Sequence, residues 1–231
     1  METIFSKDRD IPKSYIAFFD LDLTLTSSIS GRALARGAFR KGLLTKWNLL
    51  KAILLSFEFR FKLRDQVKII DDMVSWVKGI PESSITDICL EVFHETILPS
   101  VYKEAISEIE SHKAKNAKVV ILSSALTTVC REMAKRLLLD DIICSELEVK
   151  NGFLTGRPLG SFCFGEEKAV RLLEYCEKYK CLPSDAWYYG DSISDLPALN
   201  SVGNPVCINP DKKLKKTAIK RNWRVFNWGI S

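Results

Sequence analysis

The sequence predicts an α/β protein: a parallel sheet with helices on both faces and a smaller helical unit inserted after the first strand. Three observations lead there. Short apolar runs alternate with segments of helical period from residue 99 onward, the pattern of parallel strands joined by helical crossovers. Three runs end on residues able to do chemistry, at Asp20, Ser123 and Asp191, and parallel sheets bind ligands at the carboxyl ends of their strands. Between the first two runs, residues 27–98 carry helical periodicity and no strand-like run of their own.

The first strand is Ile16-Ala17-Phe18-Phe19, apolar throughout and therefore buried on both faces. It ends in Asp20-Leu21-Asp22-Leu23-Thr24. Two carboxylates at the mouth of an apolar strand repel each other and are costly to desolvate, a cost that a cation offsets, and an all-oxygen site suits magnesium. Residues 32–64 then read as helix, with nine Lys or Arg against one acid, Glu58. Residues 65–78 place Val67, Ile70, Val74 and Val77 on one helical face, and Gly79-Ile80-Pro81 stops the run. A further helix is expected from Pro81 through Phe93.

Pro99 opens a helix through Ile109, followed by a strand over residues 117–122 that runs into Ser123-Ser124. A helix over 128–139 and a short strand over 142–145 come next. Alternation on either side of Asn151-Gly152 marks a tight hairpin. Residues 165–179 read as helix and 186–189 as a strand ending in Gly190-Asp191-Ser192-Ile193-Ser194-Asp195. A short helix beginning at Pro197, a strand over 205–209 and a lysine-rich helix and terminal strand from Lys212 complete the chain.

Composition narrows the class. The chain has 231 residues, 46% of them hydrophobic, and a modest net charge of +5. That is enough to bury a full core, and nothing in it resembles a nucleic-acid-binding module, so no nucleic-acid partner is expected. Residues 1–10 lack the apolar core of a signal peptide, and the apolar stretch over 49–57 is broken by Lys51 and too short to span a bilayer. The seven cysteines show no Cys-x-x-Cys spacing, which predicts reduced, mostly buried thiols in a cytoplasmic protein. Neither His94 nor His112 has a ligand-spaced neighbour, so zinc is not expected.

Four motifs in order carry a family resemblance: Asp20-x-Asp22-x-Thr24, an apolar strand ending in Ser123, Lys168, and Gly190-Asp191-x-x-x-Asp195. Together they resemble the haloacid dehalogenase superfamily, and the long helical insertion between the first two resembles its phosphoserine phosphatase-like branch. The resemblance implies a Rossmann-like core over 1–26 and 99–231 with a helical cap over 27–98. It also implies magnesium-dependent hydrolysis of a phosphomonoester through an aspartyl phosphate. Asp20 would be the nucleophile and Asp22 the general acid and base, with Thr24 orienting Asp22. Ser123, with Ser124 beside it, would hold the phosphoryl oxygens, and Lys168 would stabilise their charge. Asp20, the Asp22 carbonyl and Asp191 would ligate magnesium, with Asp195 and Ser194 behind them.

Two departures bear on the substrate. Ser192 and Ser194 stand where phosphoserine phosphatases often carry glycine and asparagine. The glutamate those enzymes place after the first motif to bind an ammonium is missing from Ser27-Ser28-Ile29-Ser30-Gly31. The expected substrate is therefore a small anionic metabolite other than phosphoserine, with Arg60 and Arg64 as specificity candidates. The basic, aromatic stretch over 46–61 supports an alternative, peripheral contact with an anionic membrane and hydrolysis of a lipid phosphate of the phosphatidylglycerophosphate type. A phosphate-binding protein without turnover is the non-enzymatic alternative.

Overall fold

The computed structural model describes residues 14–47, 50, 54–55, 72 and 74–229. Six strands form one sheet: β1 (Ile16–Phe19), β2 (Lys118–Leu126), β3 (Asp141–Ser145), β6 (Trp187–Gly190), β7 (Asn204–Ile208) and β8 (Arg224–Phe226). Their spatial order is β3-β2-β1-β6-β7-β8, and every pairing is parallel. From β1 the chain first builds outward through β2 and β3, then returns to β1's other edge with β6 and builds the opposite way. The direction of growth reverses beside β1, where the loops on either side part and leave a crevice at the carboxyl ends.

The continuous apolar character of β1 divides cleanly between two faces, because successive side chains point opposite ways. Ile16 and Phe18 join Val120, Leu122 and Tyr188 on one face. Helices α5 (Glu166–Lys178), α6 (Leu196–Asn200) and α7 (Lys212–Lys220) cover that face with Leu172, Leu199 and Leu214 among others. Ala17 and Phe19 join Val119, Ile121 and Tyr189 on the other, beneath α3 (Lys103–Ala114) and α4 (Thr127–Leu137). The core of that second face runs on into α1 (Ser30–Arg40) and α2 (Glu82–Val92) of the insertion.

A polar chain crosses the second face. Tyr15 Oη lies 2.8 Å from His112 Nδ1, His112 Nε2 lies 2.7 Å from Tyr189 Oη, and Tyr189 Oη donates to Glu108 Oε1 at 2.6 Å. It fixes α3 to the strands it covers while satisfying groups that would otherwise be buried unpaired. Burial of the imidazole outweighs the nearby Glu108 carboxylate and pushes the His112 pKa down to about 4.

The hairpin is formed by β4 (Leu147–Lys150) and β5 (Phe153–Pro158). Asn151 and Gly152 both have positive φ, 53° and 80°, which is why this dipeptide makes the turn. The hairpin also meets the insertion. Gly79 N donates to Leu154 O, Leu154 N to Ile80 O, and Glu82 N to Gly152 O, at 2.8, 2.9 and 3.0 Å. Residues 79–82 thus act as a third edge, which their helix-stop composition did not announce.

Several boundaries shift from expectation. The helix expected from Pro99 begins at Lys103, because Leu98–Ser100 forms a 3-10 turn and Val101 makes an antiparallel bridge with Thr26. Strand β2 continues to Leu126, past Ser123 and Ser124. The helix expected over 32–64 divides: α1 stops at Arg40, where Gly42 takes a φ of 74°. Helical residues resume at 46–47, 50 and 54–55. Arg60, Arg64 and most of the helix expected over 65–78 lie outside the described residues. All seven cysteines are unpaired, and all but Cys181 are buried.

The depressed His112 pKa sets a pH dependence. An imidazole whose folded pKa lies below its unfolded value contributes stability above about pH 6.5, lost as pH falls toward 4. Urea denaturation at stepped pH should show His112→Gln removing up to about 3 kcal/mol of the wild-type loss across that window. Parallel curves for the two proteins would contradict a neutral buried imidazole.

Candidate active site

The register of the sheet brings the candidate residues level. Phe19 pairs with Ile121 on one side and Tyr189 on the other, so Asp20, Ser123 and Asp191 all emerge within about two residues of those aligned positions. Asp20 N donates to Tyr189 O at 3.0 Å, extending the ladder one step beyond β1.

At the centre stands Lys168, in the first turn of α5 and only 3% exposed. Its Nζ lies 2.7 Å from Asp195 Oδ1, 3.1 Å from Asp20 Oδ1 and 3.1 Å from Tyr188 Oη. Burial disfavours the ammonium, but Asp195 and Asp20 override it and hold the pKa well above the usual lysine range. Asp195 in turn belongs to a capping box. Ser192 N and Oγ each donate to Asp195 Oδ2 at 3.2 Å, and Tyr188 Oη donates to Oδ1 at 2.8 Å. Burial alone would raise this carboxyl; Lys168 and the donors around it bring it below the ordinary range. Gly190 is required by this packing, since a Cβ there would sit 2.8 Å from Asp195 Cβ.

Asp20 accepts from Leu21 N at 2.8 Å and is hydrogen-bonded by Ser123. Burial pushes its carboxyl up, with Lys168 opposing and Asp195 adding to the rise. Ligand oxygens of Asp20, Asp191 and Asp195 all lie within 4.8 Å of one another. Three carboxylates against one ammonium leave an excess of negative charge in a buried space, and an oxygen-only donor set of this kind suits a hard divalent cation. The Asp22 carboxyl stands outside that group.

Asp22 is held by the insertion. Ser30 N donates to its Oδ1 at 3.0 Å and Ser30 Oγ to its Oδ2 at 2.8 Å, so this carboxylate caps α1 from outside the helix. The residue before the helix, Ile29, supplies no side-chain cap. The expectation that Thr24 orients Asp22 is corrected: Thr24 Oγ1 is buried with no hydrogen-bond partner, and Ser30 is the orienting group. Burial raises the Asp22 pKa to about 7, against the lowering effect of the Ser30 hydrogen bonds.

A cavity of about 200 Å³ opens over these groups. Asp20, Asp22, Lys168, Asp191, Ser192 and Ser194 line its polar end. Its walls are largely apolar, with Ile29, Leu34, Trp76 and Val77 from the insertion facing Leu126, Leu147, Phe162 and Phe164 from the core. Ser124 reaches the cavity, while Ser123 lies fully buried beneath it, accepting from Ala125 N at 3.3 Å. Ser30, Tyr188 and Arg32 are site residues that the motif reading passed over, and it gave Ser192 no role of its own. Ser192 and Asp195 spell a capping box in sequence, and that signal was available. Nothing local links Ser30 to Asp22, or Tyr188 to Lys168.

A family profile of haloacid dehalogenase-like hydrolases matches residues 17–200, spanning every residue of the charge cluster. The chain belongs to the haloacid dehalogenase-like hydrolase family. A probable phosphatase of Mycobacterium tuberculosis is 29% identical over 215 residues, covering 92% of this chain and 75% of that one. A histidinol-phosphatase of Neisseria meningitidis is 26% identical over 221 residues, covering 92% and 98%. Among solved structures, a phospho-aspartyl intermediate analogue of phosphoserine phosphatase superposes with a TM-score of 0.72 at 19% identity, covering 88% of this chain and 90% of that one. That likeness concerns the fold.

The raised Asp22 pKa carries a stability consequence. Its folded pKa lies above the unfolded value, so its contribution is present below about pH 4 and lost as pH rises through about 7. Asp22→Asn, compared with wild type in the presence of chelator, should gain about 2–4 kcal/mol between pH 4 and 8, partial exposure screening the full value. Thermal melts across that range check it; a constant difference would show an unperturbed carboxyl.

Proposed function

We propose that the protein hydrolyses a phosphomonoester in two steps through a phosphorylated Asp20. The observation that carries this reading is the buried Asp20–Lys168–Asp195 cluster facing the cavity, with a carboxyl of pKa about 7 beside it. An Asp20 oxygen attacks phosphorus, and the ester P–O bond breaks. Asp22 delivers its proton to the departing oxygen. A water then attacks the aspartyl phosphate and gives a proton to Asp22, and the Asp20–phosphorus bond breaks to release inorganic phosphate. Lys168 stabilises the phosphoryl charge throughout, while Asp195, Tyr188 and Ser192 keep Lys168 in place.

Asp20 and Asp191 are the carboxylates best suited to hold magnesium, because both line the cavity, whereas Asp195 stands behind them against Lys168, Tyr188 and Ser192. When bound, magnesium neutralises charge on the phosphoryl oxygens and the nucleophile. Residues 27–98 act as the cap, and the support is that both they and the core wall the cavity. Closure over it excludes bulk water. Phosphoserine is an unsuitable substrate. Among the described residues, the acids lining the cavity are Asp20, Asp22 and Asp191, all engaged at the phosphoryl end, so a substrate ammonium finds no counter-charge.

Phosphate release from p-nitrophenyl phosphate tests the chemistry. Asp20→Asn should lower kcat by about a thousandfold or more, and chelator should abolish wild-type release. Wild-type kcat/KM should fall as pH rises above about 7, where Asp22 loses the proton it must deliver. Release that persists in Asp20→Asn would sink the mechanism.

A second reading, in which the substrate is a lipid phosphate at a membrane surface, is favoured by one observation. Trp47, Leu50 and Leu54 recur at helical spacing and are 80%, 47% and 56% exposed, with the exposed Lys41 and Lys46 nearby. Exposed aromatic and aliphatic groups beside lysines match an anionic bilayer interface. No helix among the described residues is long and apolar enough to cross a membrane. Wild type should co-sediment with phosphatidylglycerol vesicles at low salt and much less at about 0.5 M salt. Trp47→Glu with Leu54→Glu should lose that binding. No vesicle binding by wild type would return the substrate to the soluble phase.

A further inference from the structure

Arg32 sits in the first turn of α1, two residues past Ser30, and lines the cavity. Its Nε is buried and has no hydrogen-bond partner, and its guanidinium makes no ion pair with a described residue. The nearest acid in sequence on the cavity wall, Asp22, has both carboxyl oxygens taken by Ser30. A buried guanidinium nitrogen without an acceptor is unfavourable, and such a group in a binding cavity is most simply explained by an acceptor that arrives with the ligand. Among the described residues, the only other cation lining the cavity is Lys168, whose Nζ is engaged by Asp20 and Asp195. Its described lining therefore holds two cations, Lys168 from the core and Arg32 from the insertion, together with apolar residues, among them Leu34, Trp76, Leu126 and Phe162.

We infer that Arg32 is a binding subsite for a second oxyanion on the substrate. The ligand it fits is a phosphomonoester whose apolar body carries a carboxylate or comparable planar anion. The rigid fork of arginine matches such a group with two parallel hydrogen bonds, which a lysine does not. The inference rests on the phosphomonoester reading above and narrows it to anion-bearing substrates, independently of Arg60 and Arg64.

Binding to Asp20→Asn with magnesium present separates recognition from turnover. Calorimetric titrations would compare phenyl phosphate with 3- and 4-carboxyphenyl phosphate, which add one carboxylate to the same apolar ring. At least one carboxylated probe should bind about tenfold tighter than phenyl phosphate, the scale of one charge-assisted hydrogen bond. Adding Arg32→Gln should bring the ratio to within about twofold, and Arg32→Lys should leave an intermediate ratio. The ratio is read within each variant, so a fold weakened by the substitution lowers both affinities and leaves the comparison intact. Equal affinity for all three probes, no binding of any, or a preference that survives Arg32→Gln would each overturn the subsite. Turnover of phenyl phosphate by wild type is the separate control: its absence would count against the phosphatase reading, while the binding ratio still decides Arg32.

Discussion

The buried ammonium of Lys168 is the constraint around which the site is arranged. A lysine 3% exposed at the carboxyl end of an apolar sheet is tolerated only with carboxylates in contact, and Asp195 and Asp20 supply them at 2.7 and 3.1 Å. Those carboxylates impose their own demands. Asp195 needs Ser192 and Tyr188 as donors and a glycine at 190 to make room. Asp20 needs the Leu21 amide and Ser123. Residues from β1, β2, β6 and α5 are thus tied by one charge balance, and removing Lys168 leaves two buried carboxylates without their counter-charge.

The acid beside that cluster is tuned from elsewhere. Asp22 leaves the same loop as Asp20, yet both its oxygens face the first turn of α1 and its pKa sits near neutrality. Two carboxylates separated by one residue thus meet different surroundings, one against a lysine, the other against a helix start. Because α1 belongs to the insertion, an element that walls the cavity also holds the carboxyl proposed to transfer the proton.

The remaining fold serves to keep this arrangement rigid. Both faces of the sheet are covered, and the His112 chain pins α3 beneath β1 and β6. The insertion is anchored at its start by Asp22 and near its end by the bonds of residues 79–82 to the β4–β5 hairpin.

The sequence by itself determined the sheet, the hairpin turn and the charged residues at the strand ends. Each of these is local: strand burial shows as continuous apolar runs, Asn151-Gly152 as a dipeptide that accepts positive φ, and the carboxylates as acids placed where an apolar run stops. Only the tertiary structure decided which groups those residues meet. Ser30 rather than Thr24 orients Asp22, Tyr188 supports Lys168, residues 79–82 pair with the hairpin, and Arg32 faces the cavity with its Nε unsatisfied. Such contacts join residues from 8 to 70 or more positions apart, and no periodicity or motif encodes them. They follow from sheet register and from how the insertion folds back, which are properties of the packed chain as a whole.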